Sequence, residues 1–102
     1  MNDMLFTENL AYLSPCEEFF KFRRLLDKAK IPWHDASDLN AYFTMHRTHG
    51  DGFSVVYGRA SYGREEGLLE AMIDGIEDVT GYLTAEEAFA LVKEHCVRSN
   101  EK

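Results

Sequence analysis

The chain has 102 residues, 45% hydrophobic and 28% charged, with eleven Lys and Arg against eighteen Asp and Glu for a formal charge of −7. Seven Phe, five Tyr and one Trp supply enough bulky apolar area for one small domain over residues 1–102, which excludes global disorder. The acid excess argues against direct nucleic-acid binding, which draws its affinity from Lys and Arg neutralising phosphates.

Ser14-Pro15-Cys16-Glu17 reads as a helix start, with Ser14 as cap, Pro15 at the first helical position and Glu17 closing a capping box. The spacing predicts a helix over 15–30. Phe19, Phe22, Leu26 and Ala29 form its buried stripe, Leu25 its edge, and Lys21, Arg24 and Lys28 its wet side. Ile31-Pro32 ends it, because a residue before proline is pushed out of the α region. A short extended piece at 31–34 and a turn over 35–38 follow.

Residues 42–47 and 53–58, rich in aromatic and β-branched types, flank His49-Gly50-Asp51-Gly52, whose glycines supply the positive φ of a hairpin turn. Its register decides whether Phe43 and Met45, or Tyr42 and Thr44, face the core. Residues 68–73 read as a further strand, left at Asp74-Gly75. A second helix follows to about Val97: Thr84 caps it, Glu87 closes a capping box, and Ala85, Ala88, Phe89, Val92 and Cys96 line one face. Leu83 is placed to staple onto Ala88. This order indicates a two-layer α+β fold, an antiparallel three- to four-stranded sheet with an N-terminal and a C-terminal helix packed on one face. Residues 1–13 and 98–102 are expected to be loosely ordered.

No apolar run approaches the ~18 residues that span a bilayer, and residues 1–13 lack a signal peptide's basic start and apolar stretch. A cytoplasmic protein without a membrane partner is the expectation. Cys16 and Cys96 are too few for a disulfide framework and read as packed, reduced thiols.

Motifs for catalysis or cofactors are weak. His46 and His49, three apart in an extended strand, point to opposite faces and cannot share a metal, so neither a metal nor a cofactor is expected. His34-Asp35 beside Trp33 is the nearest thing to a catalytic pair, but Asp35 is better placed to cap a turn with Ser37 or Asp38. No activated nucleophile has a base at recognisable spacing, so an enzyme is not expected. The segment 57–67 is different in kind: three glycines, two tyrosines and two arginines in eleven residues. Glycines admit close backbone approach and arginines pair with phosphate or carboxylate. The same segment also reads as a structural crossover whose arginines pair with Glu65, Glu66 or Glu70.

Charge is uneven: residues 1–64 hold eight acids and eight bases, whereas residues 65–102 hold ten acids and three bases. The whole excess is C-terminal. Trp33-His34-Asp35-Ala36-Ser37, Arg47-Thr48-His49, Ser54-Val55-Val56-Tyr57-Gly58, Ser61-Tyr62-Gly63, Glu66-Gly67-Leu68-Leu69-Glu70 and Gly81-Tyr82-Leu83-Thr84-Ala85-Glu86-Glu87 are the motifs that carry a resemblance. In their order, over about residues 17–95, the chain resembles small phage and prophage proteins of Gram-positive bacteria. The resemblance implies a phage accessory product, a class that includes anti-CRISPR proteins acting by occupying the functional surface of a host defence protein.

Two readings of function follow. In the first, Glu65, Glu66, Glu70, Asp74, Glu77 and Asp78 form an acidic patch with Tyr62 and Tyr82 as aromatic anchors. That patch would compete with nucleic acid for a basic channel of a host effector, in the host cytoplasm. In the second, Trp33, His34, Arg47, Tyr57, Arg59, Tyr62 and Arg64 bind a nucleotide immune signal and sequester it. A homodimer through an exposed sheet edge, or through Phe6 and Leu10, is a third arrangement.

Overall fold

The computed structural model describes residues 14–39 and 44–97. Among them the chain forms helix α1 (Glu17–Lys28), strands β1 (His34–Asp35), β2 (Asp38–Leu39), β3 (Thr44–Gly50), β4 (Phe53–Gly58), β5 (Leu69–Ile73) and β6 (Thr80–Leu83), and helix α2 (Ala85–Val92). A 3₁₀ turn (Arg64–Glu66) lies in the β4–β5 crossover, and a π-helical turn (Lys93–Val97) continues α2. All strand pairings are antiparallel, in the order β1-β3-β4-β5-β6, with β2 also pairing with β3. The α+β class and antiparallel sheet match expectation, whereas the sheet has six strands rather than three or four. The two-residue β1 overlaps the extended piece expected at 31–34 only at His34, and the additional strands are the two-residue β2, and β6, whose pairing with β5 is irregular.

The core is built from one helix stripe and one sheet face. Phe19, Phe22 and Leu26 of α1 meet Ala85, Ala88 and Val92 of α2 over Phe53, Val55 and Tyr57 of β4 and Leu69, Ala71 and Ile73 of β5. Phe22 meets Phe53 edge-on at 6.3 Å between ring centres. Burial of each large side chain contributes about 1.5–3 kcal/mol. Leu83 and Ala88 join the same cluster. Ala29, expected in the stripe, is exposed because the helix has already ended there.

The hairpin register follows from the turn. Gly50 pairs with Phe53, so the loop is the two residues Asp51-Gly52, and His49 and Gly50 belong to the strand. Gly52 takes a positive φ of 90°. Gly50 is needed for a different reason: a Cβ there would lie 2.2 Å from the Phe53 ring, which occupies that space. Thr44, His46 and Thr48 consequently share the face of Val55 and Tyr57, and all three are buried, with His46 5.9 Å from the Phe19 ring. Met45, Arg47 and His49 take the other face. Tyr42, Phe43, Phe6, Leu10 and the tail after Val97 lie outside the described residues.

Helix ends also differ from expectation in an explicable way. The chain stays extended through Cys16 (φ −77°, ψ 168°), which makes Cys16 the N-cap and leaves Ser14 too early to cap. At the other end Lys30 adopts φ 61°, the Lys30 N–H donates to Asp27 O (3.0 Å) and the Ile31 N–H to Leu26 O (2.9 Å). This is a Schellman closure two residues before Pro32, so the left-handed residue rather than the proline ends the helix. The α2 start is as read: Thr84 Oγ1 accepts from the Glu87 N–H, and Glu87 Oε1 from the Thr84 N–H. Glu18 of α1 adds a third cap, accepting from the Ala85 N–H at 2.7 Å.

Lys30 carries a Cβ in a conformation that favours glycine. Replacing it with glycine should raise unfolding free energy by about 0.5–1 kcal/mol in urea titration, since the relieved αL strain outweighs the added chain entropy.

Candidate functional site

Two groups of exposed side chains stand out, at opposite ends of the strands. The first is where the β4–β5 crossover lies against β6. Along β6, Leu83 pairs with Leu69 and Thr80 with Ala71, so Gly81 and Tyr82 together oppose Glu70 in a bulge. Tyr82 takes the left-handed conformation there, at φ 58°. Gly81 lets the crossover approach, for a Cβ on it would lie 2.4 Å from the Tyr62 Cβ. The Tyr82 N–H donates to Tyr62 O at 3.4 Å, which joins the two residues through their backbones; Tyr62 is 57% and Tyr82 58% exposed. Glu65 and Glu66 follow in the exposed 3₁₀ turn, and Glu70 accepts from the Tyr62 N–H at 2.8 Å. A small hollow of about 30 Å³ lies between Gly63, Arg64, Glu65, Glu66 and Tyr82.

The rest of the acidic set is elsewhere. Asp74 follows β5, where its N–H donates to Gly52 O at 2.9 Å, and Glu77 and Asp78 lie in the β5–β6 connection. Four residue steps along the strand separate Glu70 from Asp74, about 13 Å. The eight residues of the acidic reading therefore divide into two groups.

The nucleotide-binding set is divided further. Tyr57 is a core residue whose hydroxyl donates to Arg64 O (3.2 Å), pinning the crossover from inside. Arg64 pairs with Glu65 at 3.6 Å and donates to Ser61 O, as expected of a structural crossover. The Arg59 N–H donates to Thr44 O, at the far end of β3 from His49, the strand partner of His34. Arg47 lies on the sheet face away from the helices, donating to Ser54 Oγ at 2.8 Å. Trp33 and His34 are thus about 17 Å along the sheet from Arg59 and Arg64.

Trp33 and His34 belong to the second group, at the β3–β4 turn. A cleft of about 430 Å³ is lined by Pro32, Trp33, His34, His49, Gly50, Asp51, Gly52 and Asp74. It adjoins a groove of about 410 Å³ that shares Pro32 and Asp51 and reaches Cys96. The sequence spacing sets His49 and His46 on opposite faces of one strand, as the register shows. The fold pairs His49 with His34, ring centres 4.9 Å apart. Asp51 was missed as a site residue. The hairpin register places it beside His49, but no local signal brings His34 opposite.

Arg23, absent from every sequence-based candidate set, holds this edge. Its Nε donates to Thr48 Oγ1 (2.7 Å), and its Nη2 to Asp35 Oδ1 (3.1 Å) and Arg47 O (3.0 Å). The guanidinium lies between the Phe19 and Trp33 rings, 4.5 Å from each centre, while Trp33 Nε1 donates to Asp27 at 2.8 Å. Asp35 makes the expected turn, accepting from the Ser37 N–H and hydroxyl. Those Ser37 bonds, with help from Arg23, hold the Asp35 carboxyl below its ordinary range.

The remaining chemistry is quiet. Both cysteines are free and half-buried, and burial pushes both thiols up, away from a reactive thiolate. Among the described residues no group of three or more His, Cys, Asp or Glu side chains is arranged to hold a metal, and no helix is long and apolar enough to cross a membrane. Comparison with protein-family models, curated proteins and solved structures finds no match. The site is therefore defined by its own geometry: an α+β domain with an aromatic and acidic edge at one end and a histidine cleft at the other.

Two outcomes follow from the Arg23 arrangement. Arg23→Met should cost about 2–3 kcal/mol in denaturant titration, and Arg23→Lys nearly as much, because an ammonium cannot reproduce the planar fork between two rings. Asp35 has a depressed folded-state pKa, so its contribution is present above the unfolded carboxylate range and is lost as pH falls through the folded value. Asp35→Asn should therefore flatten the loss of stability below about pH 4 in acid titration followed by circular dichroism.

Proposed function

We propose that this protein is a non-catalytic binding module that engages a basic surface of a partner protein through Tyr62, Tyr82 and the carboxylates beside them, competing with nucleic acid for that surface. The observation that carries this reading is the tyrosine pair itself. Two tyrosines, each more than half exposed, are joined backbone to backbone at a sheet edge, one of them in a left-handed conformation that a residue with a side chain adopts at a cost. Tyrosine offers large contact area at low entropy cost, and exposed aromatic anchors of this kind dominate binding energy at interfaces.

Charge supplies the direction. Glu65, Glu66 and Glu70 flank the pair, and Asp74, Glu77 and Asp78 extend the acid toward the other end of β5. Such a face steers association with a basic channel and repels nucleic acid. In the setting that the phage resemblance implies, the partner is a nucleic-acid-binding host defence effector. The protein would act there as a stoichiometric, anti-CRISPR-like inhibitor in the host cytoplasm. The nucleotide-sequestering alternative draws less support, because its residues are spread along the sheet and Arg47 and Arg64 already have protein partners.

The test is inhibition of target-DNA cleavage by a panel of guide-RNA nucleases, measured against salt. Inhibition should weaken as salt rises, and Tyr62→Ala with Tyr82→Ala should weaken binding about 30-fold or more, equivalent to about 2 kcal/mol. Charge reversal at Glu65 and Glu66 should cost more than reversal at Glu77 and Asp78. Full cleavage across the panel would sink the proposal, and heat released on titration with cyclic nucleotides would favour sequestration instead.

A further inference from the structure

Of the residues assigned to that interface, the cleft at the β3–β4 turn includes Asp74 and none of the aromatic anchors. His34 and His49 are exact cross-strand partners, both exposed, with ring centres 4.9 Å apart and planes tilted by 58°. Their ring contact is with each other. Asp51 and Asp74 line the same cleft, both exposed, and both lie near enough to Cys96 to act on its thiol through their charge.

We propose that His34 and His49 form a two-nitrogen site for a divalent transition-metal ion of the copper or zinc type. A metal about 2.0 Å from an imidazole nitrogen lies about 3.1 Å from the ring centre, so two imidazoles sharing it near the tetrahedral angle have centres about 5 Å apart. The observed spacing meets that requirement. Imidazole is a suitable donor for copper and zinc, and two ligands leave the remaining positions to water or an exogenous group. Asp51 and Asp74 add negative charge around the cleft without completing a ligand set, in keeping with the lack, among the described residues, of any group of three side chains arranged to hold a metal. Arg47, on the same sheet face and held by Ser54, is the charge that opposes a cation here. The two carboxylates that line the cleft make a cation, rather than a phosphate, the fitting occupant. Because β1 has only two residues, a shared ion would also fasten it to β3.

Copper(II) titrated into the full-length chain, after chelator treatment, tests the site. One equivalent should broaden the His34 and His49 ring proton resonances together, before those of His46 and His95. His34→Gln and His49→Gln should each weaken copper binding by calorimetry at least about tenfold, since even loss of an outer partner of a ligand costs about tenfold to a hundredfold. Both residues are exposed, so the metal-free variants should melt within a few degrees of the parent. Broadening centred on His95 or the N-terminus, or unchanged affinity in both variants, would overturn the proposal. Should either variant fail to fold, the order of broadening in the parent chain alone decides it.

Discussion

The Arg23 guanidinium is the point on which one whole edge of this fold depends. Strand β1 is two residues long and exposed throughout, so neither its ladder with β3 nor apolar burial is enough to fix it. Arg23 reaches from α1 to a buried Thr48, to the β3 backbone and to Asp35, while its flat cation fills the space between Phe19 and Trp33. A single side chain thus joins the helix layer, the central sheet and the edge strand. The Arg23 side chain is only 18% exposed, and the cost of taking the charge out of water is offset by polar contacts that are each charge-assisted. Everything proposed for the cleft requires this clamp, since Trp33 and His34 have their positions only while β1 is docked.

Where sequence and structure agree, the signal was local and redundant. Thr84 and Glu87 announce α2 through a reciprocal pair of hydrogen bonds, and Phe19, Phe22 and Leu26 mark the buried stripe by spacing alone. The hairpin and β5 follow from alternation around glycine-containing turns. Disagreement begins where a residue's role is set by something distant. Gly50 looked like a turn residue, yet its lack of a side chain serves the ring of Phe53. Ser14 looked like a cap, yet the backbone remains extended for two more residues. Strand β1 was met only at His34 by the extended piece read over 31–34, and β2 and β6 escaped because a two-residue ladder carries no periodicity and a bulge breaks it.

The candidate sites were legible to the same degree. Tyr62 and Tyr82 were chosen as anchors for their chemistry, twenty residues apart in the chain. The fold places them together because Gly81 admits the crossover and the β6 bulge shifts Tyr82. The arginines of the crossover carried an equally suggestive pattern, but Tyr57, Arg64 and Ser61 are occupied in holding that segment closed. His34 and His49, fifteen residues apart, share no motif, and only the register of a short edge strand makes them partners.

This arrangement also changes what the net charge means. A value of −7 suggests one acidic face, whereas the strand geometry distributes the acids between two ends separated by about 13 Å of β5. At the crossover end, Glu65 and Glu66 border exposed aromatic surface, and carboxylates beside aromatic anchors favour a basic protein partner. At the turn end, Asp51 and Asp74 border two imidazoles, and carboxylates beside nitrogen donors favour a small cation. The same excess therefore has different chemical consequences at the two ends, decided by the neutral side chains it accompanies. Because the tyrosine pair and the histidine pair lie at opposite ends of the strands, a partner seated on the first leaves the second open to solvent and to its own ligand.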